Sequence, residues 1–184
     1  MNLLDNLFQD FQFHLFFAVA QFDRQTITAK GYDDVEFLIS TNPGESLKPL
    51  SQVASGGELS RIMLAIKTVL AGRDEIDTLI FDEIDTGISG RTAWKVAEQL
   101  SVLSGAHQVI CITHLPQIAA MADVHFVIEK SSTDDMTITD IHKVSAEESL
   151  AELARLLGSD ALTEAALSNA KEMKEQAGMF KETR

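Results

Sequence analysis

The sequence predicts an α/β fold: a mostly parallel sheet with flanking helices and a β-hairpin. Three observations carry that prediction. The short apolar runs "TLIFDE" (Thr78 to Glu83) and "QVICIT" (Gln108 to Thr113) have the length and composition of strands buried on both faces. Stretches of helical periodicity precede, separate and follow them, and such alternation indicates helices layered on a parallel core. Further on, "VHFVIEK" and "TITDIHKV" flank the polar turn "SSTDD" as the arms of a hairpin.

The most apolar stretch is the first, "MNLLDNLFQDFQFHLFFAVAQF". Leu3, Leu4, Leu7, Phe8 and Phe11 carry helical spacing, whereas Phe11, Phe13, Leu15, Phe17 and Val19 alternate like a strand, and both readings stay open. Its longest apolar run, Leu15 to Ala20, is too short to span a bilayer, and with no basic leader before it no signal peptide is expected. Residues 1–34 are therefore set apart as an apolar N-terminal segment, and 35–184 as the main unit.

"VEFLIS" (Val35 to Ser40) reads as a strand followed by a turn around Asn42, Pro43 and Gly44, and a loop is expected from Glu45 to Gly57. Leu59, Ile62, Met63, Ile66, Val69 and Leu70 form a helical stripe that ends near Gly72. After "IDTGISG" comes a helix over Arg91 to Leu103, in which Trp94 packs. "HLPQ" leads into a short helix through Met121. Ser145 and Glu148 have capping-box spacing ahead of Leu150, Leu153, Ala154 and Leu157, and Gly158 ends that helix. A last amphipathic helix is predicted from Leu162 to Gln176, with a frayed tail beyond it.

Composition narrows the function classes. A hydrophobic content of 45% and a charged content of 23% are ordinary for a globular chain. The net charge of -13, with no run of Lys or Arg, argues against a large nucleic-acid-binding face on this chain itself. The single cysteine, Cys111, rules out an internal disulfide framework and reads as a small core residue in a reducing, cytoplasmic setting. The five histidines lack zinc-ligand spacing.

Three segments carry chemistry. In an open α/β sheet, ligands gather at the carboxyl ends of the strands, where Asp82 and Glu83 stand. Asp82 has the chemistry to hold Mg²⁺, and Glu83 to orient and deprotonate a water attacking a phosphoryl group. Taken alone, an apolar strand ending in acids is more often a solvated terminus. "SGGE" (Ser55 to Glu58) stands before a helix, whose N-terminus offers free N–H groups and a positive dipole end. Gly56 and Gly57 let an anion approach the backbone and Ser55 adds a hydroxyl, although a Ser at this place is also simply an N-cap. His114, just past the second buried run, could contact a phosphate; a lone histidine there is commonly an ordinary surface residue.

The order of these segments resembles the distal half of an ABC-type ATPase head. "SGGE" resembles the signature motif, "LIFDE" the Walker B strand, "IDTGISG" the D-loop and His114 the switch histidine. Within that superfamily, "VASGGELSRIMLAIK", "FDEIDTGISGRTA" and "ITHLPQIAAMAD" resemble the RecN family, bacterial DNA double-strand-break repair ATPases related to the SMC proteins. The resemblance is most specific from Leu50 to Asp123, runs from about Val35 to the C-terminal helices, and is poor over the first thirty or so residues.

The resemblance implies the C-terminal lobe of an ABC/SMC-type P-loop NTPase head. Ser55, Gly56 and Gly57 would cap the γ-phosphate of ATP bound to an opposing head, with Glu58 fixing that loop. Asp82 would support Mg²⁺, Glu83 would act as general base, His114 would sense the γ-phosphate and Asp85 would couple the two sites. The family also needs a G-x-x-x-x-G-K-[ST] segment to cradle the phosphates, and none occurs in these 184 residues, nor do long heptads. The implied partners are therefore an N-terminal P-loop half, a second head in an ATP-dependent homodimer and DNA through a longer protein, with no membrane and a nucleoid-associated cytoplasmic location. Two other readings are a non-enzymatic dimerisation or regulatory module and a head fragment of another SMC or ABC ATPase.

Overall fold

The computed structural model describes residues 14–21, 33–40, 46–52, 55–72, 75–132, 137–158 and 162–183. Strand β1 (His14–Gln21) pairs antiparallel with β2 (Asp33–Ser40), from His14 opposite Ser40 to Gln21 opposite Asp33. Of the two open readings of the N-terminal stretch, the strand is the one found at these positions. The helical spacing of Leu3 to Phe11 lies outside the described residues, as does the turn at Asn42, Pro43 and Gly44. A two-residue strand β3 (Lys48–Pro49) extends this sheet, with Leu38 opposite Pro49, and a 3-10 turn follows over Leu50–Gln52.

Helix α1 (Gly56–Leu70) begins at the first glycine of "SGGE", so the expected loop ends one residue before Gly56. Ser55 is its N-cap: the side chain accepts from the Glu58 N–H at 3.5 Å. The helix buries only part of the stripe that its large apolar residues form: Ile62 is fully buried, and Ile66 and Val69 pack against the core. Gly57, Arg61, Ile62, Leu64 and Ala65 point inward, while Leu59, Met63 and Leu70 are exposed. Gly57 and Arg61 join Ile62 and Leu64 on the inward face, where the neighbouring turn comes too close to Gly57 for a Cβ.

Strand β4 (Thr78–Phe81) and strand β5 (Gln108–Cys111) form the parallel pair, with Thr78 opposite Gln108 and Phe81 opposite Cys111. Between them runs α2 (Gly90–Leu103), which buries Ala93, Val96, Ala97, Leu100 and Leu103. These side chains join Ile62, Leu64, Phe81, Ile84, Ile118 and Met121 in the main core. The expectation that both strands are buried on two faces fails for one face. Leu79, Phe81, Val109 and Cys111 turn toward the core, but Ile80 is 68% exposed, and Ile110 and Ile112 are exposed beside it.

Helix α3 (Pro116–Ala120) starts on a proline, which suits a first turn that needs no amide donor. Strands β6 (Phe126–Ser132) and β7 (Thr137–Lys143) form the expected hairpin, with Ile128 opposite Ile141. Most of its turn lies outside the described residues. Helix α4 (Ala146–Leu156) carries the predicted capping box in full: Ser145 Oγ accepts from Glu148 N at 3.3 Å and Glu148 Oε2 accepts from Ser145 N at 2.7 Å. Helix α5 (Glu164–Glu182) runs past the expected end at Gln176, because Ala177 and Phe180 pack into the main core and hold the last turns. Ala119, Ala120, Leu153, Ala154, Ala166 and Ala170 make a second core of small residues between α3, α4 and α5, and Trp94 packs against both cores. Among the described residues no helix is long and apolar enough to cross a membrane.

Candidate active site

The site forms where the N-terminus of α1 meets the turn after β4. Ser60 Oγ donates to the Asp82 carbonyl at 2.9 Å. Arg61 Nη1 donates to the carbonyls of Ile84 at 3.0 Å and Thr86 at 2.9 Å. Those bonds draw the turn onto the two glycines. A Cβ on Gly57 would lie 2.8 Å from the Glu83 carbonyl oxygen and 3.0 Å from Thr86 Cβ, and one on Gly56 would collide with the Glu83 carboxylate. The glycine pair thus has a close approach to satisfy within the chain itself.

Glu83 has a φ of 57°, the only positive value for a described residue other than glycine. Holding a bulky residue in that region costs about 1–3 kcal/mol and needs surrounding contacts to enforce it. Here Asp82 Oδ1 accepts the Glu83 N–H at 2.9 Å, and the Glu83 carbonyl accepts from Thr86 N at 3.0 Å. The outcome is an exposed carboxylate turned back over the start of α1.

Asp85 is 4% exposed. Its Oδ2 accepts from Thr113 Oγ1 at 2.6 Å and from His114 N at 2.8 Å, and it stands 3.0 Å from His114 Nδ1. Thr113 Oγ1 in turn accepts from Leu115 N at 3.0 Å, which shapes the entry to α3. His114 keeps its ring largely in solvent while its backbone and one nitrogen are held by Asp85. Arg61 is the cation facing these acids: burial lowers its pKa, opposed by the nearby carboxylates of Glu58 and Asp85. Burial first, then Asp85 and Asp82, push the Cys111 thiol up to about 12, so it stays protonated on the core side of β5.

All the sequence-predicted residues, Ser55, Gly56, Gly57, Glu58, Asp82, Glu83, Asp85 and His114, thus stand at one end of the β4–β5 pair. Asp82 is exposed, and among the described residues no group of three His, Cys, Asp or Glu side chains could hold a metal ion. A lone carboxylate oxygen fits Mg²⁺ of the kind that takes its other ligands from water and substrate phosphates. Sequence reasoning missed Ser60, Thr86 and Thr113, and its reading of Arg61 as an unassigned surface helix residue is corrected: Arg61 is only 6% exposed and bonds the turn after β4. The signal for Arg61 was its position four residues after Gly57 and three before Leu64, on the face that small residues mark as buried.

No family model matches the chain. It is 49% identical over 157 residues to the DNA repair protein RecN of Bacillus subtilis, covering 85% of this chain and 27% of that protein. Against RecN of Treponema pallidum the identity is 54% over 143 residues, covering 78% of this chain and 25% of the relative. Against RecN of Vibrio cholerae it is 44% over 176 residues, covering 92% of this chain and 32% of the relative. The 8% left uncovered there is less than the 34-residue segment set apart at the N-terminus, so that match enters a stretch expected to resemble the family poorly. In fold, the chain is similar to the Smc head domain of Pyrococcus yayanosii, with a TM-score of 0.58 at 21% identity over 83% of this chain and 28% of that one. It is likewise similar to the Smc head of Pyrococcus furiosus bound to the C-terminal domain of ScpA, with a TM-score of 0.54 at 20% identity over 85% of this chain and 37% of that one. The chain spans about a quarter to a third of the length of the RecN proteins it matches. In sequence, then, the chain resembles the DNA repair protein RecN, and in fold it is similar to Smc head domains.

Proposed function

We propose that this chain supplies the C-terminal part of the head of a RecN-type ATPase acting in DNA double-strand-break repair. The observation that carries the reading is the single cluster in which the Gly56–Gly57 helix end, the Glu83 carboxylate and the Asp85-held His114 share one end of a parallel strand pair. That is the end of the sheet at which α/β folds bind ligands. A helix N-terminus such as that of α1 offers backbone amides and a positive dipole end, which suit anion recognition.

The nucleotide would be held chiefly by a P-loop half that these 184 residues do not contain. Uncovered apolar surface supports a missing lobe: parallel strands are ordinarily buried on both faces, yet Ile80, Ile110 and Ile112 are open, as are Leu59, Met63 and Leu70 on α1. Ser55, Gly56 and Gly57 would meet the γ-phosphate of ATP on an opposing head, with Glu58 holding that loop. Asp82 would supply a carboxylate ligand to Mg²⁺, which neutralises phosphate charge when bound. Glu83 would take the proton from the attacking water, His114 would contact the γ-phosphate, and Asp85 would link the turn after β4 to His114. With a net charge of -13, duplex DNA would be met by other parts of the longer protein.

The test mixes this chain with a separately produced P-loop half and measures ATP hydrolysis and head dimerisation. The chain alone should hydrolyse no ATP above background, and the mixture should turn over. Glu83→Gln keeps size and hydrogen-bonding reach but loses the base, so hydrolysis should fall by about a hundredfold or more while an ATP-bound dimer accumulates. Ser55→Arg should block the dimer and leave nucleotide binding to each head. Turnover by the isolated chain, or a Glu83→Gln mixture that hydrolyses at the parent rate, would overturn the reading.

A further inference from the structure

Arg61 is a charged side chain at a core-facing position of α1, only 6% exposed, and its two bonds to Ile84 O and Thr86 O straddle Asp85. The same short turn begins at Glu83, whose left-handed backbone is closed by the Thr86 N–H. Asp85 continues the chain of contacts to Thr113 Oγ1 and to both the backbone and the ring of His114.

We infer that Arg61 is a positioning residue, clamping the turn Glu83–Thr86 onto α1 so that the anion-facing helix end, the Glu83 carboxylate and His114 move as one unit. A displacement at Ser55 to Gly57 reaches the turn through the Arg61 guanidinium and the close Gly57 contact, and reaches His114 through Asp85. A neutral, well-packed side chain would fill the space but leave the buried Ile84 carbonyl and the part-buried Thr86 carbonyl without this donor. The consequence for rate rests on the ATPase reading above; the consequence for structure rests on these bonds alone.

Amide hydrogen exchange on this chain tests the structural part, with the His114 N–H, bonded to Asp85, as reporter and the Leu157 amide at the end of α4, bonded to Leu153, as the control for folding. Arg61→Met should speed exchange at His114 by about tenfold or more, the weight of a buried bond from a charged donor, and leave Leu157 unchanged. Arg61→Lys, which keeps a donor, should fall between Met and the parent. In the Asp85→Asn background, Arg61→Met should add little, because the path runs through Asp85. If Arg61→Met loosens Leu157 as well, Arg61→Lys decides: faster exchange confined to His114 supports the clamp. Parental exchange at His114, or full additivity with Asp85→Asn, overturns it. In the two-part head, Arg61→Lys should lower kcat and leave KM for ATP in place; a change in KM alone also overturns it. A parent mixture with no turnover would remove the ATPase reading, while the exchange data would still decide the role of Arg61.

Discussion

The turn at the site end of the molecule and the caps of its C-terminal helices are held by bonds of different reach. Around Glu83 the side chains bond across long stretches of sequence: Ser60 to Asp82 spans 22 residues, Arg61 to Thr86 25 and Asp85 to the His114 amide 29. At the ends of α4 and α5 the capping bonds close within three residues, Ser145 with Glu148 and Thr163 with Ala166. Local bonds form as soon as the helix does. Long-range bonds demand that two elements already be docked, so the site end is where one extra atom should do the most damage.

Glycine substitutions sharpen that contrast, and the largest effect belongs to the site. Gly57→Ala puts a Cβ 2.8 Å from the Glu83 carbonyl, 3.0 Å from Thr86 Cβ and 3.1 Å from Arg61 Nη1. The first of these is backbone, which cannot rotate away, so either the turn or α1 must move. Overpacking of this kind costs about 1–3 kcal/mol, readable as a lower urea midpoint with the slope unchanged. A parental midpoint would show that the turn yields without resistance.

Ser145→Ala comes next, at about 1 kcal/mol, because it removes one half of the capping box and nothing more distant. A loss well above that range would mean Ser145 does more than cap α4. Gly178→Ala reverses the sign. Gly178 lies inside α5, and nothing stands within 4 Å of the place a Cβ would take. The added methyl therefore meets no obstacle and should raise stability by about 0.5–1 kcal/mol. The same chemical change should thus destabilise one end of the molecule and stabilise the other; equal signs would break the comparison.

What was legible in the sequence follows the same division. The capping box, the hairpin, the two short strands and the ends of α2 rest on neighbouring residues, and each appears where the sequence puts it. The inward face of α1 appears only in part: Ile62, Ile66 and Val69 of the stripe pack on the core, Leu59, Met63 and Leu70 are exposed, and burial of Gly57 and Arg61 is set by a turn more than twenty residues away. The site residues could be collected from motif order, yet their mutual support through Arg61 and Thr113 has no counterpart in any local pattern. The length of α5 was missed for a related reason: its last turns are fixed by packing of Ala177 and Phe180 rather than by a stop signal.

The smallest effect separates two titrations within the C-terminal region. His125, half-buried, has its Nδ1 2.9 Å from Ser149 Oγ, and its pKa is lowered by burial first and then by the Lys174 ammonium, with Glu152 opposing. The folded value therefore lies below the ordinary 6.5, and as pH falls the unfolded chain takes up this proton first. The stability it contributes is complete above pH 6.5 and is lost as pH falls through the folded value. Glu148 behaves in the same direction but lower: its two bonds to Ser145 hold its pKa below the ordinary 4.5, so its contribution fades only at more acidic pH. Urea midpoints followed downward from neutral pH should show a first decline below 6.5 that His125→Gln removes, since Gln keeps a polar contact with Ser149 and cannot charge. A second decline, beginning below 4.5, should persist in His125→Gln and diminish in Glu148→Gln, which keeps an acceptor for the Ser145 N–H and cannot titrate. If His125→Gln keeps the first decline, the proton responsible binds elsewhere and the half-buried ring carries no part of the acid sensitivity.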